Sequence, residues 1–218
     1  MIIHFNDVTV QYAEHTALYP LTISISEKRI GIVGLNGSGK STFARLIAGL
    51  ETVSSGKITK ENVRLNGRVS YIFQNPANQI IMPTVQEDIE FGLKNLVADK
   101  KMRAEVSKNM LLQLDAEHLA SRRVHELSGG ELQLAALASV LVTKPELIIF
   151  DEPTNQLDFR NRRTVDRTIH GLPQQTIVIT HDLQLVEKYD RVLVFHEGRL
   201  VEDNCPSIAI ARYLEIAN

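Results

Sequence analysis

The chain has 218 residues, 44% hydrophobic and 23% charged, a balance that suits one globular domain with a subdomain. Its net charge of −2 gives no bulk electrostatic case for a polyanionic partner. The one cysteine, Cys205, excludes an intrachain disulfide and a cysteine-based metal cluster.

The opening MIIHFNDVTVQY alternates like a strand and does not read as a signal peptide. Strands are predicted over Ile2–Tyr12 and Ala17–Ser26, joined by a polar connection, so the chain opens with an antiparallel layer. Ile30–Val33 is a short buried strand. After it comes Gly34-Leu35-Asn36-Gly37-Ser38-Gly39-Lys40-Ser41-Thr42, then a helix over Ser41–Leu50. Ser54-Ser55-Gly56 marks a turn, with two further short strands near Lys57–Ile58 and at Val69–Phe73. Gln74–Gln79 is a polar loop. Thr84-Val85-Gln86-Glu87 fits a capping box and starts a helix toward Leu96. Lys100–Leu114 is a second amphipathic helix, whose Met102, Val106, Met110 and Leu114 form a packing stripe.

Ser128-Gly129-Gly130-Glu131 is another capping box and opens a well-buried helix through Leu141. Leu147–Phe150 is a buried strand that ends in Asp151-Glu152, followed by a helix over Phe159–His170. Thr176–Ile179 is a buried strand ending at Thr180-His181-Asp182, where Asp182 can cap a helix over Leu183–Lys188. A hairpin around Glu197-Gly198 and a terminal helix over Ser207–Ala217 close the chain. No run of about 20 apolar residues is present to span a membrane. Strands alternating with helices predict an α/β fold with a mostly parallel core sheet. The helical stretch after Thr84 reads as an arm inserted into that core, giving core segments 1–83 and 142–218 and a helical subdomain over about 84–141.

The glycine-rich stretch matches G-x-x-x-x-G-K-[ST] between a strand and a helix, the context that a phosphate-binding P-loop needs. Gly34, Gly37 and Gly39 let the backbone turn its N–H groups inward as an anion nest, with the helix N-terminus behind them. Asn36, Ser38 and Thr42 complete the loop. Lys40 can reach the β- and γ-phosphates, and Ser41 can place its hydroxyl on Mg²⁺. Asp151 stands where P-loop folds place a second magnesium contact. Glu152 follows at once as a general base or water positioner. His181 ends the next core strand, and strand ends on one edge gather at the binding crevice of open α/β sheets. A histidine there can hydrogen-bond the γ-phosphate.

This ordered set resembles the ATPase subunit of ATP-binding cassette (ABC) transporters over nearly the whole chain. Leu127-Ser128-Gly129-Gly130-Glu131 is similar to the family's LSGGQ signature, and Gln74 stands at the position of the Q-loop glutamine. Asp158 matches the D-loop aspartate, His181 the switch histidine, and Tyr12 the aromatic residue that stacks on adenine. The resemblance implies a P-loop NTPase of ABC type that binds and hydrolyses ATP with Mg²⁺. Two cassettes would pair head to tail, a homodimer being preferred. Ser128, Gly129 and Gly130 of one would contact the γ-phosphate held by the other, and Gln74 would touch Mg²⁺ or water. Phe73-Gln74-Asn75-Pro76-Ala77-Asn78-Gln79 and Val85-Gln86-Glu87-Asp88-Ile89-Glu90-Phe91-Gly92 resemble, more narrowly, the energy-coupling-factor group. That group implies a transmembrane coupling (T) subunit, a substrate-binding membrane (S) subunit and a peripheral position on the cytoplasmic face of the membrane. A short chain, expected to carry no regulatory domain after its core, resembles the biotin-type ATPase of that group.

Glu131 departs from the usual glutamine of the signature. A negative charge near a γ-phosphate is costly, so its side chain is expected to turn away into the capping box. Leu132 and Leu134 stand where the family often has basic residues. A soluble ABC-type ATPase acting on ribosomes or DNA is the alternative. It usually carries tandem cassettes or a coiled-coil insertion, and this chain shows no heptad array and no nucleic-acid footprint. A non-hydrolysing nucleotide scaffold is disfavoured by the presence of both Glu152 and His181.

Overall fold

In a computed structural model the structure describes residues 1–62 and 68–217. The chain divides into two compact units. The first takes in Met1–Tyr71, Glu146–Glu152 and Pro173–Asn218, and the second Ile72–Pro145 and Pro153–Leu172.

The first unit holds two sheets. β1 (Ile2–Tyr12) and β2 (His15–Ile25) pair antiparallel, and β4 (Ser55–Glu61) adds to the other edge of β1, giving the order β2-β1-β4. Alternation in β1 is the physical reason for this layer: Ile3, Phe5, Val8 and Val10 are buried, while the residues between them face outward or are half-covered. The second sheet has the order β5-β6-β7-β3-β8-β9. Its members are β3 (Arg29–Gly34), β5 (Val69–Ile72), β6 (Leu147–Asp151), β7 (Gln175–Ile179), β8 (Arg191–His196) and β9 (Arg199–Asn204). β6, β7, β3 and β8 run parallel, and β9 turns back antiparallel on β8. β3, β6 and β7 are buried at every residue, as strands covered on both faces require.

Helix α1 (Lys40–Ala48) is fixed by one aromatic contact on each side. The Phe43 ring lies 4.9 Å from Phe5 of the antiparallel sheet and 5.0 Å from Phe195 of β8, tilted against both. All three rings are essentially inaccessible to solvent. Each contributes about 1.5–3 kcal/mol by burial alone, so the helix that follows the glycine-rich loop cannot drift from the sheet end. Helix α6 (Leu183–Val186) is shorter than predicted and receives no side-chain cap from Asp182. The Asp182 N–H donates instead to Thr180 Oγ1 at 2.9 Å, so this residue closes a local turn. Helix α7 (Pro206–Ala217) closes the chain.

The second unit is helical. α2 (Val85–Gly92) starts at the capping box of Thr84 and Glu87, with both reciprocal hydrogen bonds present. It ends at Gly92, short of the predicted Leu96, because residues 93–97 continue as turns closed on Leu93. α3 (Lys100–Gln113) is capped by Asp99, and α4 (Gly129–Leu141) by Ser128. α5 (Phe159–Gly171) is capped by Asp158. The core of this unit gathers Val85, Ile89 and Leu93 of the α2 segment with Leu111, Leu119, Ala135, Ala138 and Val142. Val106, Met110 and Leu114 pack on it as the periodicity predicts, but Met102 is 55% exposed, and Leu111 holds the buried centre. Among the described residues no helix is long and apolar enough to cross a membrane.

Candidate nucleotide site

Parallel register sets the geometry of the first unit's site. Asp151 pairs with Ile179, which in turn pairs with Ile32, so β6 and β7 end level with one another and β3 runs two residues further, to Gly34, on the same edge. The residues just past those ends are therefore neighbours: Glu152 after β6, Thr180 and His181 after β7, and the glycine-rich loop after β3. Gly34 makes the first sharp turn. A Cβ there would sit 2.2 Å from the Phe195 carbonyl oxygen, and its φ of +153° is already unfavourable to side chains, so no larger residue fits.

Lys40 opens α1 with its ammonium folded back over the loop, donating to the Gly34 and Leu35 carbonyls at 2.8 Å each. It is only 6% exposed. Burial pushes its pKa down, opposed by the charges of Glu152 and Asp151. A buried cation with two carbonyl partners for three N–H bonds is ready for an anion. Ser38, 3% exposed, has an Oγ with no hydrogen-bond partner among the described residues. That orphaned donor in the turn is a second sign that the loop is shaped for a phosphate oxygen.

Asp151 lies 7% exposed, with Oδ1 3.5 Å from Ser41 Oγ and Oδ2 accepting from the Tyr71 hydroxyl at 2.5 Å. Two hard oxygens so placed suit a cation that prefers oxygen ligands. Glu152 has a φ of +51°, in the left-handed region, at a cost of about 1–3 kcal/mol. The kink is held by its N–H, which donates to the Ile179 carbonyl at 2.9 Å. It turns the carboxylate back onto the end of β7, where Oε2 accepts from the His181 N–H at 3.3 Å. Burial raises the Glu152 carboxyl above the ordinary range, against the His181 N–H bond and Lys40. His181 Nε2 lies 3.2 Å from Glu152 Oε1 and 3.1 Å from Asn36 Oδ1. Burial, then the charge of Lys40, lower the pKa of that imidazole. Both effects favour the neutral ring, in which the contact to Glu152 is a hydrogen bond. The arrangement can bind an anion, orient water at a carboxylate and sense the anion through a neutral histidine.

Tyr12 is 46% exposed, and its phenol donates to Glu51 just beyond α1.

In the second unit, Gln74 lies exposed just after β5. Ser128 and Gly129 are exposed at the start of α4, while Gly130 is buried. A Cβ on Gly130 would meet Asn161 Cγ at 2.5 Å. Asn161 in turn donates through its side chain to Asp158 Oδ2 at 2.9 Å and through its backbone to Asp158 Oδ1 at 2.8 Å. The loop before α4 and the loop before α5 are thus one packed assembly. Glu131 turns into its capping box, with Oε2 accepting from the Ser128 N–H at 2.7 Å. Those hydrogen bonds to Ser128 lower its pKa.

Of the residues read from sequence, the structure places Asn36, Ser38, Lys40, Ser41, Asp151, Glu152 and His181 in one unit, and Gln74, Ser128, Gly129, Gly130 and Asp158 in the other. The sequence reading omitted Tyr71, Glu51 and Asn161. Each acts through one polar contact to a residue distant in sequence or through shape, and alternation or motif spacing carries no trace of either.

The ABC transporter family profile matches residues 20–155. The biotin transport ATP-binding protein BioM of Rhizobium etli is 52% identical over 223 residues, covering 100% of both chains. The energy-coupling factor transporter ATP-binding protein EcfA1 of Mycoplasma pneumoniae is 39% identical over 214 residues, covering 93% of this chain and 78% of that protein. Among solved structures, cbiO1 of Clostridium perfringens, part of the ABC transporter complex cbiONQ, superposes with a TM-score of 0.84 at 27% identity, covering 99% of this chain and 93% of that one. Family profile, full-length relatives and fold agree with the phosphate-shaped loop and the acidic strand end: the chain belongs to the ABC transporter family, as an ATPase of the energy-coupling-factor type that resembles the biotin-type members.

Proposed function

We propose that this ATPase powers an energy-coupling-factor importer, with biotin the preferred cargo over other vitamins and transition-metal ions. The observation that carries the proposal is the 52% identity, end to end, with a biotin transport ATP-binding protein. In this reading the chain sits peripherally on the cytoplasmic face of the membrane. It pairs with a second ATPase, preferably a copy of itself, and meets a transmembrane coupling subunit and a substrate-binding membrane subunit. The core would comprise residues 1–83 and 142–218, and the helical subdomain, over about 84–141, would be the surface that meets the membrane partner.

The residues divide the work as follows. The loop from Gly34 through Asn36, Gly37, Ser38 and Gly39 to Lys40, Ser41 and Thr42 binds the phosphates of ATP, and the exposed ring of Tyr12 stacks on the base. Ser41, Asp151 and Gln74 would hold Mg²⁺, which supplies charge neutralisation at the β- and γ-phosphates when bound. Glu152 orients and deprotonates the attacking water, and neutral His181 hydrogen-bonds the γ-phosphate. Ser128, Gly129 and Gly130, at a helix N-terminus, contact the γ-phosphate held by the partner cassette, with Asp158 beside them. Loss of that phosphate removes the contact and favours the open pair, a population shift passed to the membrane subunits.

The test is recovery of the tagged chain from detergent-solubilised membranes, with co-purifying proteins identified by mass spectrometry. One coupling subunit and one small membrane protein that binds biotin are expected. Recovery of soluble proteins, ribosomes or DNA alone would sink the transport reading in favour of a soluble ATPase. A membrane protein that binds another vitamin or a metal ion would keep the importer and replace the cargo.

A further inference from the structure

The buried hydroxyl of Tyr71 has no part in the roles assigned above. Tyr71 lies on β5, at the edge of the six-stranded sheet beside β6. Its side chain is 7% exposed, and a phenylalanine would fill that space equally well, so packing does not explain the oxygen. What the oxygen does is donate to Asp151 Oδ2 at 2.5 Å, a charge-assisted bond across 80 positions of sequence. The other carboxylate oxygen, Oδ1, faces Ser41 Oγ at 3.5 Å, the outer limit of a hydrogen bond. One oxygen of Asp151 is thus pinned, and the other is left with acceptor capacity unspent on the Ser41 side.

We infer that Tyr71 is a positioning residue for the divalent cation: by holding Asp151 Oδ2 it fixes the rotation of the carboxylate, so that Oδ1 stays presented beside Ser41. A carboxylate on a single Cβ–Cγ bond has a broad rotational well, and a single strong donor is enough to select one orientation. Loss of a partner that orients a metal ligand from behind typically costs about 10- to 100-fold in metal affinity or activity. The inference rests on the proposed role of Asp151 toward Mg²⁺.

The experiment uses the full chain carrying Tyr71→Phe, with Mn²⁺ as the probe. Mn²⁺ affinity is read by electron paramagnetic resonance at a saturating non-hydrolysable ATP analogue, and nucleotide affinity separately in EDTA. Tyr71→Phe is expected to weaken Mn²⁺ binding roughly ten-fold, to raise the Mg²⁺ half-saturation of ATP hydrolysis by a similar factor, and to leave nucleotide affinity in EDTA unchanged. Asp151→Asn is the comparator, and Tyr71→Phe added to it should have no further effect on Mn²⁺ binding, since the hydroxyl acts only through that carboxylate. Wild-type Mn²⁺ affinity in Tyr71→Phe, with Asp151→Asn weakened, overturns the inference alone. Wild-type Mn²⁺ affinity in Asp151→Asn overturns the metal role of Asp151 and this inference with it. Equal losses for Tyr71→Phe with and without Asp151 would mark Tyr71 as a packing residue and also overturn it.

Discussion

Glu152 combines three properties at one position: a left-handed backbone, a carboxyl raised by burial, and contact with a neutral histidine. A general base must be ionised to act, so lowering pH through its raised pKa removes activity. The acid limb of kcat/KM is therefore expected at higher pH than the ordinary glutamate value of about 4.3. Glu152→Gln should bind ATP yet hydrolyse it at least about 100-fold more slowly, and any residual rate should lack that limb. Turnover near wild type would remove Glu152 from the mechanism. Lys40→Ala should lose roughly 10- to 100-fold in ATP affinity by calorimetry, since a hydrogen-bonded charge at the phosphates is removed; unchanged affinity would contradict the phosphate role of the loop. These residues were legible in sequence because a P-loop and a buried strand ending in two acids are local patterns. Tyr71, Glu51 and Asn161 were not, because their work depends on which side chain a fold brings opposite them. Asn161 is the clearest example: it sits in an ordinary polar helix start, and only the 2.5 Å approach to a virtual Cβ on Gly130 shows that the two are fitted to each other.

At the scale of elements, the start of the helical unit is tied down by one buried carboxylate. Asp88 of α2, 7% exposed, accepts from the Ile81 and Met82 N–H groups at 2.9 and 3.2 Å, and from Ser139 Oγ of α4 at 2.7 Å. Ile81 itself is 69% exposed, so this segment has little apolar burial of its own to hold it. Asp88→Ala strands three donors and should cost about 2–3 kcal/mol, with a lower urea midpoint at unchanged slope; Asp88→Asn, which keeps acceptor capacity, should cost less. Equal midpoints for wild type and Asp88→Ala would show that the segment is held otherwise. Periodicity and capping chemistry made most elements readable: both capping boxes and the parallel strands are where their residues put them. The misses have physical causes. α2 stops at Gly92 although leucines continue the pattern at 93 and 96: turns closed on Leu93 bury that side chain, while Leu96 is left exposed and adds nothing to hold a further helical turn. Asp182 does stand at the N-cap position of α6, where its carbonyl accepts from the Leu185 N–H at 3.2 Å, but its side chain makes no cap hydrogen bond to this single-turn helix. Met102 lies in the first turn of α3, and the stripe it heads meets the core only from Val106 onward.

At the scale of the whole molecule, the proposed pairing of two cassettes makes its own prediction. A two-fold symmetric pair, in which each chain sets its signature loop against the other's P-loop, is isologous, so every contact at the interface occurs twice, and so does every loss. Ser128 and Gly129 lie exposed at the start of α4, a 13-residue helix whose N-terminus attracts anions. The chain's near-neutral charge neither drives nor blocks self-association, which leaves the shared phosphates to decide it. Glu152→Gln, unable to discharge the γ-phosphate, should run as a dimer with ATP and as a monomer without it in size-exclusion chromatography with light scattering. Adding Ser128→Asp tests the interface without removing the helix cap, since aspartate serves that position as well as serine does. It sets a negative charge against the partner's γ-phosphate at both copies of the contact. The double variant should therefore stay monomeric with ATP while binding one nucleotide per chain with little change. A dimer that survives Ser128→Asp would place the signature loop outside the interface, and a Glu152→Gln chain that stays monomeric at every ATP concentration would count against nucleotide-held pairing itself. If only the first of these happened, the anion specificity would have to come from the P-loop alone, and the exposed helix start at Gly129 would need another ligand.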